Sequence, residues 1–144
     1  MPFETGPYVQ AACFCERALE EKDGVLTLIR IVDRVTHTVA GAEAPREMPP
    51  FTYPVMAVIM LKAGQARGRH ELNILRQLPS GVKDTEGPTF PVFLESEDRG
   101  HNVVLRMEMV FEQEGVYWFE VLLDGELLTR MPLRAVYSRL TTRG

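Results

Sequence analysis

Three histidines are the side chains of this chain best suited to metal binding or proton transfer. His37, His70 and His101 are the only histidines among 144 residues. Two ligands on one face of a strand need a spacing of two residues, because successive side chains alternate between faces. None of the three has a second His or Cys at that spacing. A metal site would have to be assembled from distant strands, and we predict no metal ligand and no cofactor.

Cys13 and Cys15 are the two cysteines, and they lie two residues apart. On a strand they would share a face at about 6.6 Å, which is poor geometry for a disulfide. They also lack the two-residue spacer of a redox pair or a metal clip. We therefore predict reduced, buried thiols.

Candidate nucleophiles and acids lie in polar segments. No serine stands in a Gly-x-Ser-x-Gly elbow. The serines are Ser80, Ser96 and Ser138. Glu95, Glu97 and Asp98 could serve acid–base chemistry or calcium, but their segment ends in Arg99-Gly100, which is typical of a solvated turn. The sequence predicts that the protein is not an enzyme.

The strongest structural pattern runs from Asn102 to Leu133. Apolar residues occupy the odd positions from Val103 to Phe111, which is the period-two pattern of a half-buried strand. A similar run, from Val116 to Leu123, follows a polar segment, and Asp124-Gly125 is a strong hairpin signal. We predict three successive antiparallel strands.

The last hairpin can be given a register. A two-residue loop would pair Phe119 with Arg130 and mix core with solvent. We therefore predict a three-residue loop, 123–125, that pairs Phe119 with Thr129. This register places Trp118 beside Arg130 on the outer face, where the guanidinium can stack on the indole.

The rest of the chain adds short strands separated by turns. Tyr53 to Leu61 is almost wholly apolar and predicts the centre of the core, while Val25 to Val32 is apolar on both faces and predicts a central strand. About eight strands without a periodic helix predict an all-β fold of two packed antiparallel sheets. The alternative is that the strands close into a single sheet. We predict one domain over 1–144, with its core at about 8–134 and a short extension at 135–144.

Composition excludes several classes of partner. The formal charge is −4, which argues against nonspecific binding of nucleic acid. No segment approaches the roughly 18 apolar residues of a membrane span, and the first residues lack the pattern of a cleaved signal peptide. We predict neither a nucleic acid nor a membrane as partner.

A local resemblance refines the fold. The segment from Glu114 to Phe119 resembles the corner of immunoglobulin-like domains, where a Tyr two residues after a Gly bonds back across the connection. Phe119 stands where their second disulfide Cys would be. The resemblance implies an immunoglobulin-like sandwich without the disulfide.

A wider resemblance covers most of the chain. Its segments are Cys15 to Arg17, Asp23 to Arg34, Gly115 to Phe119, Leu123 to Leu127 and Met131 to Leu133. On these segments the chain resembles a family of small bacterial proteins known only as a domain of unknown function. The resemblance implies a bacterial, cytoplasmic protein and supplies no catalytic residue, ligand or partner.

Two functional hypotheses follow. The first is a noncatalytic module that binds a protein partner or a second copy of itself, as a homo-oligomer, through apolar residues on the outer face. That face comprises Trp118, Leu122, Val104, Val110 and Arg130. Either it is an interface, or the segment Glu16 to Asp23 or the residues after Pro132 cover it. The alternative is a binder of a sugar or nucleotide, with Trp118 and Tyr53 as stacking platforms.

Overall fold

The fold is all-β and consists of two sheets. It is known from a computed structural model that describes residues 3–140. The strands are β1 (Tyr8–Glu20), β2 (Leu26–Val32), β3 (Arg34–Ala40), β4 (Phe51–Lys62), β5 (Gly68–Gln77), β6 (Thr89–Leu94), β7 (Gly100–Phe111), β8 (Gly115–Leu123) and β9 (Glu126–Leu140). The four-stranded sheet has the order β2-β1-β4-β7, and the five-stranded sheet has the order β3-β9-β8-β5-β6. Within residues 3–140, no helix is long and apolar enough to cross a membrane.

The core lies between the two sheets, and β4 is at its centre as predicted. Val55, Ile59 and Leu61 of β4 are fully buried, and β4 pairs with β1 on one side and β7 on the other. Aromatic rings join the sheets: Phe14 meets Phe119 edge-to-face at 5.0 Å. Burial of each large apolar side chain contributes about 1.5–3 kcal/mol, so this layer is the main source of stability.

β7 and β8 are not neighbours, and the prediction that they pair is wrong. β7 pairs with β4, whereas β8 lies between β9 and β5. The connection between them crosses from one sheet to the other. The Tyr117 hydroxyl accepts the N–H groups of Glu112 and Gln113, both at 3.0 Å, and Gly115 takes a φ of 124°. These two features fix a corner where the sequence pattern was also compatible with a hairpin.

The loop between β8 and β9 also differs from the prediction. Asp124 and Gly125 both have positive φ, 51° and 83°, which is the two-residue hairpin turn of type I′. A shift of register between Val121 and Leu122 then changes the pairing, so that Phe119 faces Met131. The predicted three-residue loop is therefore wrong. The turn has two residues, and the bulge beyond it restores the pairing of core residues with core residues.

The two sheets are not purely antiparallel, which corrects the predicted class. β3 pairs with β9 in parallel, with Val35 opposite Ala135. Residues 135–140, assigned to an extension from the sequence, form the half of β9 that makes this pair. The Arg134 N–H donates to the Asp33 carbonyl at 3.0 Å and so fixes the start of the parallel ladder. Residues 141–144 lie outside the part of the chain that the structure describes.

The far end of the β1–β2 hairpin folds over the outer face of the four-stranded sheet, to which both strands belong. Cys15 and Val58 point away from the other sheet, yet both are 0% exposed. Cys15 pairs with Met56. If β1 continued straight beyond Cys15, Glu20 would lie about 16 Å further than Cys15 from Met60. Glu20 instead lines one cavity together with Met60. The hairpin therefore bends back and covers the middle of this face.

Candidate interaction surfaces

Trp118 stands on the outer face of the five-stranded sheet, next to Arg130. The Arg130 guanidinium carbon lies 4.4 Å from the centre of the indole ring, and its Nη2 donates to the Gln77 Oε1 at 3.3 Å. Trp118 pairs with Pro132 on one side and Gln77 on the other. The predicted stacking is thus confirmed, although in a different register. We call Trp118, Arg130 and Gln77 the tryptophan cluster.

Leu122 shares this outer face and is half-buried. Glu120, between Trp118 and Leu122 on the same face, forms an ion pair with Lys83 at 3.2 Å. The tryptophan cluster is therefore an amphipathic patch set among charged groups.

Val104 and Val110 lie on the other sheet, along β7. They are 37% and 47% exposed, and they face outward beside Arg106 and Glu108. Because β7 and β8 belong to different sheets, the structure separates the two valines from the tryptophan cluster. The single outer face expected from the sequence is two surfaces.

Tyr53 and Trp118 are also on different sheets, so they do not form the predicted pair of stacking platforms. Tyr53 belongs to β4 and packs against the core.

A separate cavity of about 320 Å³ opens between β7 and the loop at 84–88, with Met107, Phe119 and Ile74 among its lining residues. Arg76 and Asp84, an ion pair at 3.1 Å, also line it.

His70 and Asp124 form a pair that the sequence did not reveal. His70 Nδ1 lies 2.6 Å from Asp124 Oδ2, and His70 Nε2 lies 2.9 Å from the Arg67 carbonyl. The Glu71 N–H donates to Asp124 Oδ1 at 2.9 Å, and the Asp124 N–H donates to the Glu71 carbonyl at 2.8 Å. The pair ties the β8–β9 turn to β5.

These contacts change both protonation equilibria. The hydrogen bond that His70 donates to the Asp124 carboxylate is the main cause that raises the pKa of His70. The Glu71 N–H is the main cause that lowers the pKa of Asp124, and His70 adds to it. Both ring nitrogens of His70 face acceptor oxygens, so the doubly protonated imidazolium satisfies both at once. This arrangement suits a structural cation better than a general base.

The other two histidines contact aromatic rings. His37 stacks on Phe51 at 4.6 Å between ring centres. His101 Nδ1 accepts the Phe93 N–H at 3.3 Å. Within residues 3–140, no three His, Cys, Asp or Glu side chains are grouped so as to hold a metal ion.

Cys13 and Cys15 are both free. Cys15 is buried and Cys13 is half-buried, and burial raises the pKa of both thiols. A raised pKa keeps a thiol protonated and lowers its reactivity.

Comparison with known proteins gives a family and distant structural likenesses. The family described as a family of unknown function, DUF6941, matches residues 10–136. Among solved structures, the chain is similar to a Pseudomonas fluorescens alkylpurine DNA glycosylase, AlkC, bound to DNA containing an abasic site analog, with 12% identity and a TM-score of 0.42. That match covers 69% of this chain and only 27% of the glycosylase chain. A comparison with curated proteins finds no match.

Proposed function

The chain belongs to the DUF6941 family, a family of unknown function, and we propose that it is a noncatalytic interaction module. Its docking surface for a protein partner is the outer face of the five-stranded sheet around the tryptophan cluster. The observation that carries the proposal is the Arg130 guanidinium held 4.4 Å over Trp118. Trp and Arg are the residue types most enriched at the centres of protein interfaces.

The tryptophan cluster is preorganised for binding. Arg130 is held by the indole on one side and by Gln77 at 3.3 Å on the other. A long side chain that is already ordered loses less entropy when a partner binds, a saving of about 0.5–1.5 kcal/mol per side chain. A partner with an acidic group would meet the unused donors of Arg130.

The noncatalytic part of the proposal is supported by His70. It is the histidine with a carboxylate partner, but its Nε2 already lies against the Arg67 carbonyl. A general base needs one ring nitrogen free to take a proton from substrate.

Substitution of Trp118 tests the docking surface. Wild-type protein, Trp118→Ala and the control Arg69→Gln are immobilised and used to capture partners from a bacterial lysate. Arg69 is exposed at the far end of β5. We expect Trp118→Ala to lose at least tenfold of the captured partner and Arg69→Gln to retain it. If Trp118→Ala captures normally and only melts at a lower temperature, Trp118 is a packing residue and the proposal fails.

A second candidate function is binding of a small ligand such as a sugar or nucleotide. It is favoured by the cavity of about 320 Å³ between the sheets, which is within the size range of ligand pockets. A ligand at about 100 times its dissociation constant would stabilise the fold by about 2.7 kcal/mol. Thermal unfolding with a panel of nucleotides and sugars tests it, and Arg76→Gln, which alters the lining, should abolish any shift.

We further propose that the sheets form an immunoglobulin-like sandwich in a bacterial, cytoplasmic protein. The bonds from Glu112 and Gln113 to the Tyr117 hydroxyl support the fold, because they reproduce a tyrosine corner. The run β9-β8-β5-β6 has the neighbour relations of strands G, F, C and C′. The free thiols of Cys13 and Cys15 support the reducing compartment.

A further inference from the structure

We propose that two copies of this chain pair through the edges of their β7 strands, antiparallel, with Met107 opposite Met107 of the second copy. The two four-stranded sheets would then join into one continuous sheet of eight strands. This inference goes beyond the proposed function, because it gives the chain a surface for self-association. It does not use the tryptophan cluster, which lies on the other sheet.

β7 is an edge strand whose start contacts β6, where the Phe93 N–H donates to His101 Nδ1 at 3.3 Å. It pairs with β4 over twelve consecutive residues without a register shift, and no strand within residues 3–140 pairs with its other side. Proteins usually protect such edges with short strands, prolines, charged side chains (lysine above all), bulges, or a covering helix or loop. The other edge strands, β2, β3 and β6, have only six or seven residues, and β6 carries Pro91. β7 is the long edge strand, and it contains neither proline nor lysine.

A cavity of about 320 Å³ lies along this edge. Its lining includes every residue from Met107 to Phe111. Alternate residues of a strand point to opposite faces, so five consecutive residues can line one cavity only where the strand is approached from its edge. This cavity therefore lies beside the unpaired edge of the second half of β7, and the loop at 84–88 forms its opposite wall.

The outward side chains of β7 are complementary to themselves. In chain order they are Val104, Arg106, Glu108 and Val110, all exposed. Antiparallel pairing around Met107 places Arg106 opposite Glu108 of the second copy and Val104 opposite Val110 of the second copy. A two-fold interface requires this self-complementarity, because each contact occurs twice. The dimer would contain two charge pairs and two valine pairs on this face.

Charge also selects the register. Moving the two-fold centre by one residue, which shifts the pairing by two, would place Arg106 opposite Arg106 of the second copy or Glu108 opposite Glu108 of the second copy, and like charges directly opposite are unfavourable. Neither Arg106 nor Glu108 has a salt bridge within residues 3–140. Both are therefore available to the second copy.

Charge reversal tests the pairing. Arg106→Glu and Glu108→Arg each replace two attractive pairs by two repulsive pairs, so we expect the dissociation constant of the dimer to rise at least tenfold. An equimolar mixture of the two variants restores both attractive pairs and should form the heterodimer. Sedimentation velocity over a range of concentrations measures the dimer, and native mass spectrometry identifies the heterodimer. Arg69→Glu, an exposed charge on the other sheet, should leave the dimer unchanged.

Three results would overturn the inference. The wild-type protein could stay monomeric at all concentrations, or the single variants could still dimerise normally. The third is a mixture of the variants that stays monomeric although both variants melt like wild type. Trp118→Ala in the same experiment separates this surface from the tryptophan cluster. If only Trp118→Ala dissociates the dimer, self-association stands and the β7 edge is wrong. If Trp118→Ala dimerises and the charge reversals do not, the edge is supported independently of the tryptophan cluster.

Discussion

His70 is the side chain whose surroundings give a clear pH dependence. Its pKa is raised by Asp124, so the stability it contributes is complete below the unfolded pKa of about 6.5 and is lost as pH rises through the higher folded value. The pKa of Asp124 is lowered, so its contribution is present above about 3.9 and is lost as pH falls through the folded value. The pair should stabilise the protein most between about pH 4 and 6.5.

Thermal unfolding of wild type and His70→Asn checks this prediction. The Tm difference between the two should be larger at pH 6 than at pH 8.5. Because Asp124 is half exposed, solvent screening limits the effect to about 1 kcal/mol, or about 3 °C in a chain of this length. A Tm difference that is equal at both pH values would show that the protonation of His70 contributes nothing to stability.

Local contacts were predictable from the sequence, and a distant one was not. The sequence predicted that Trp118 and Arg130 meet, because both belong to one hairpin and either register leaves them near each other. It did not predict the His70–Asp124 pair, since 54 residues separate them. Only the pairing of β5 with β8, which no local pattern reveals, brings the β8–β9 turn beside His70.

At the element scale, the approach of β4 to β7 depends on Gly100. A Cβ at this position would overlap the Leu61 carbonyl oxygen, and this group belongs to the backbone and cannot rotate away. We expect Gly100→Ala to lower the free energy of unfolding by about 2–3 kcal/mol, as for other overpacked sites.

Chemical denaturation of Gly100→Ala checks this expectation against Asn102→Ala. Asn102 is exposed on the same strand, and its substitution should stay within about 0.5 kcal/mol of wild type. Equal stabilities of the two variants would mean that β7 can move away from β4 at no cost.

Alternation of apolar residues predicted the strands well but not their places in the sheets. Val25 to Val32 was expected in the middle of a sheet because it is apolar on both faces. β2 is instead an edge strand, and Ile31 is 63% exposed. An apolar pattern reports which residues avoid water, but it cannot show whether a neighbouring strand or a bent hairpin supplies the contact.

At the scale of the whole molecule, the class was predictable and the strand order was not. Two all-β sheets followed from strand count and turns. The crossing from β7 to β8 and the parallel pair of β3 and β9 depend on contacts far apart in the chain. These two features decide the surfaces, because they put Val104 and Val110 on one sheet and Trp118 on the other.

Native mass spectrometry of the untagged protein, purified without chelators, tests most directly whether this chain assembles with itself and whether it retains a ligand. One spectrum reports stoichiometry and any retained small molecule or metal. We predict an integral multiple of the 16.3 kDa chain mass with no additional mass. A monomer that carries a retained small molecule would favour the second candidate function over the interaction module, and a bare monomer at every concentration would contradict self-association.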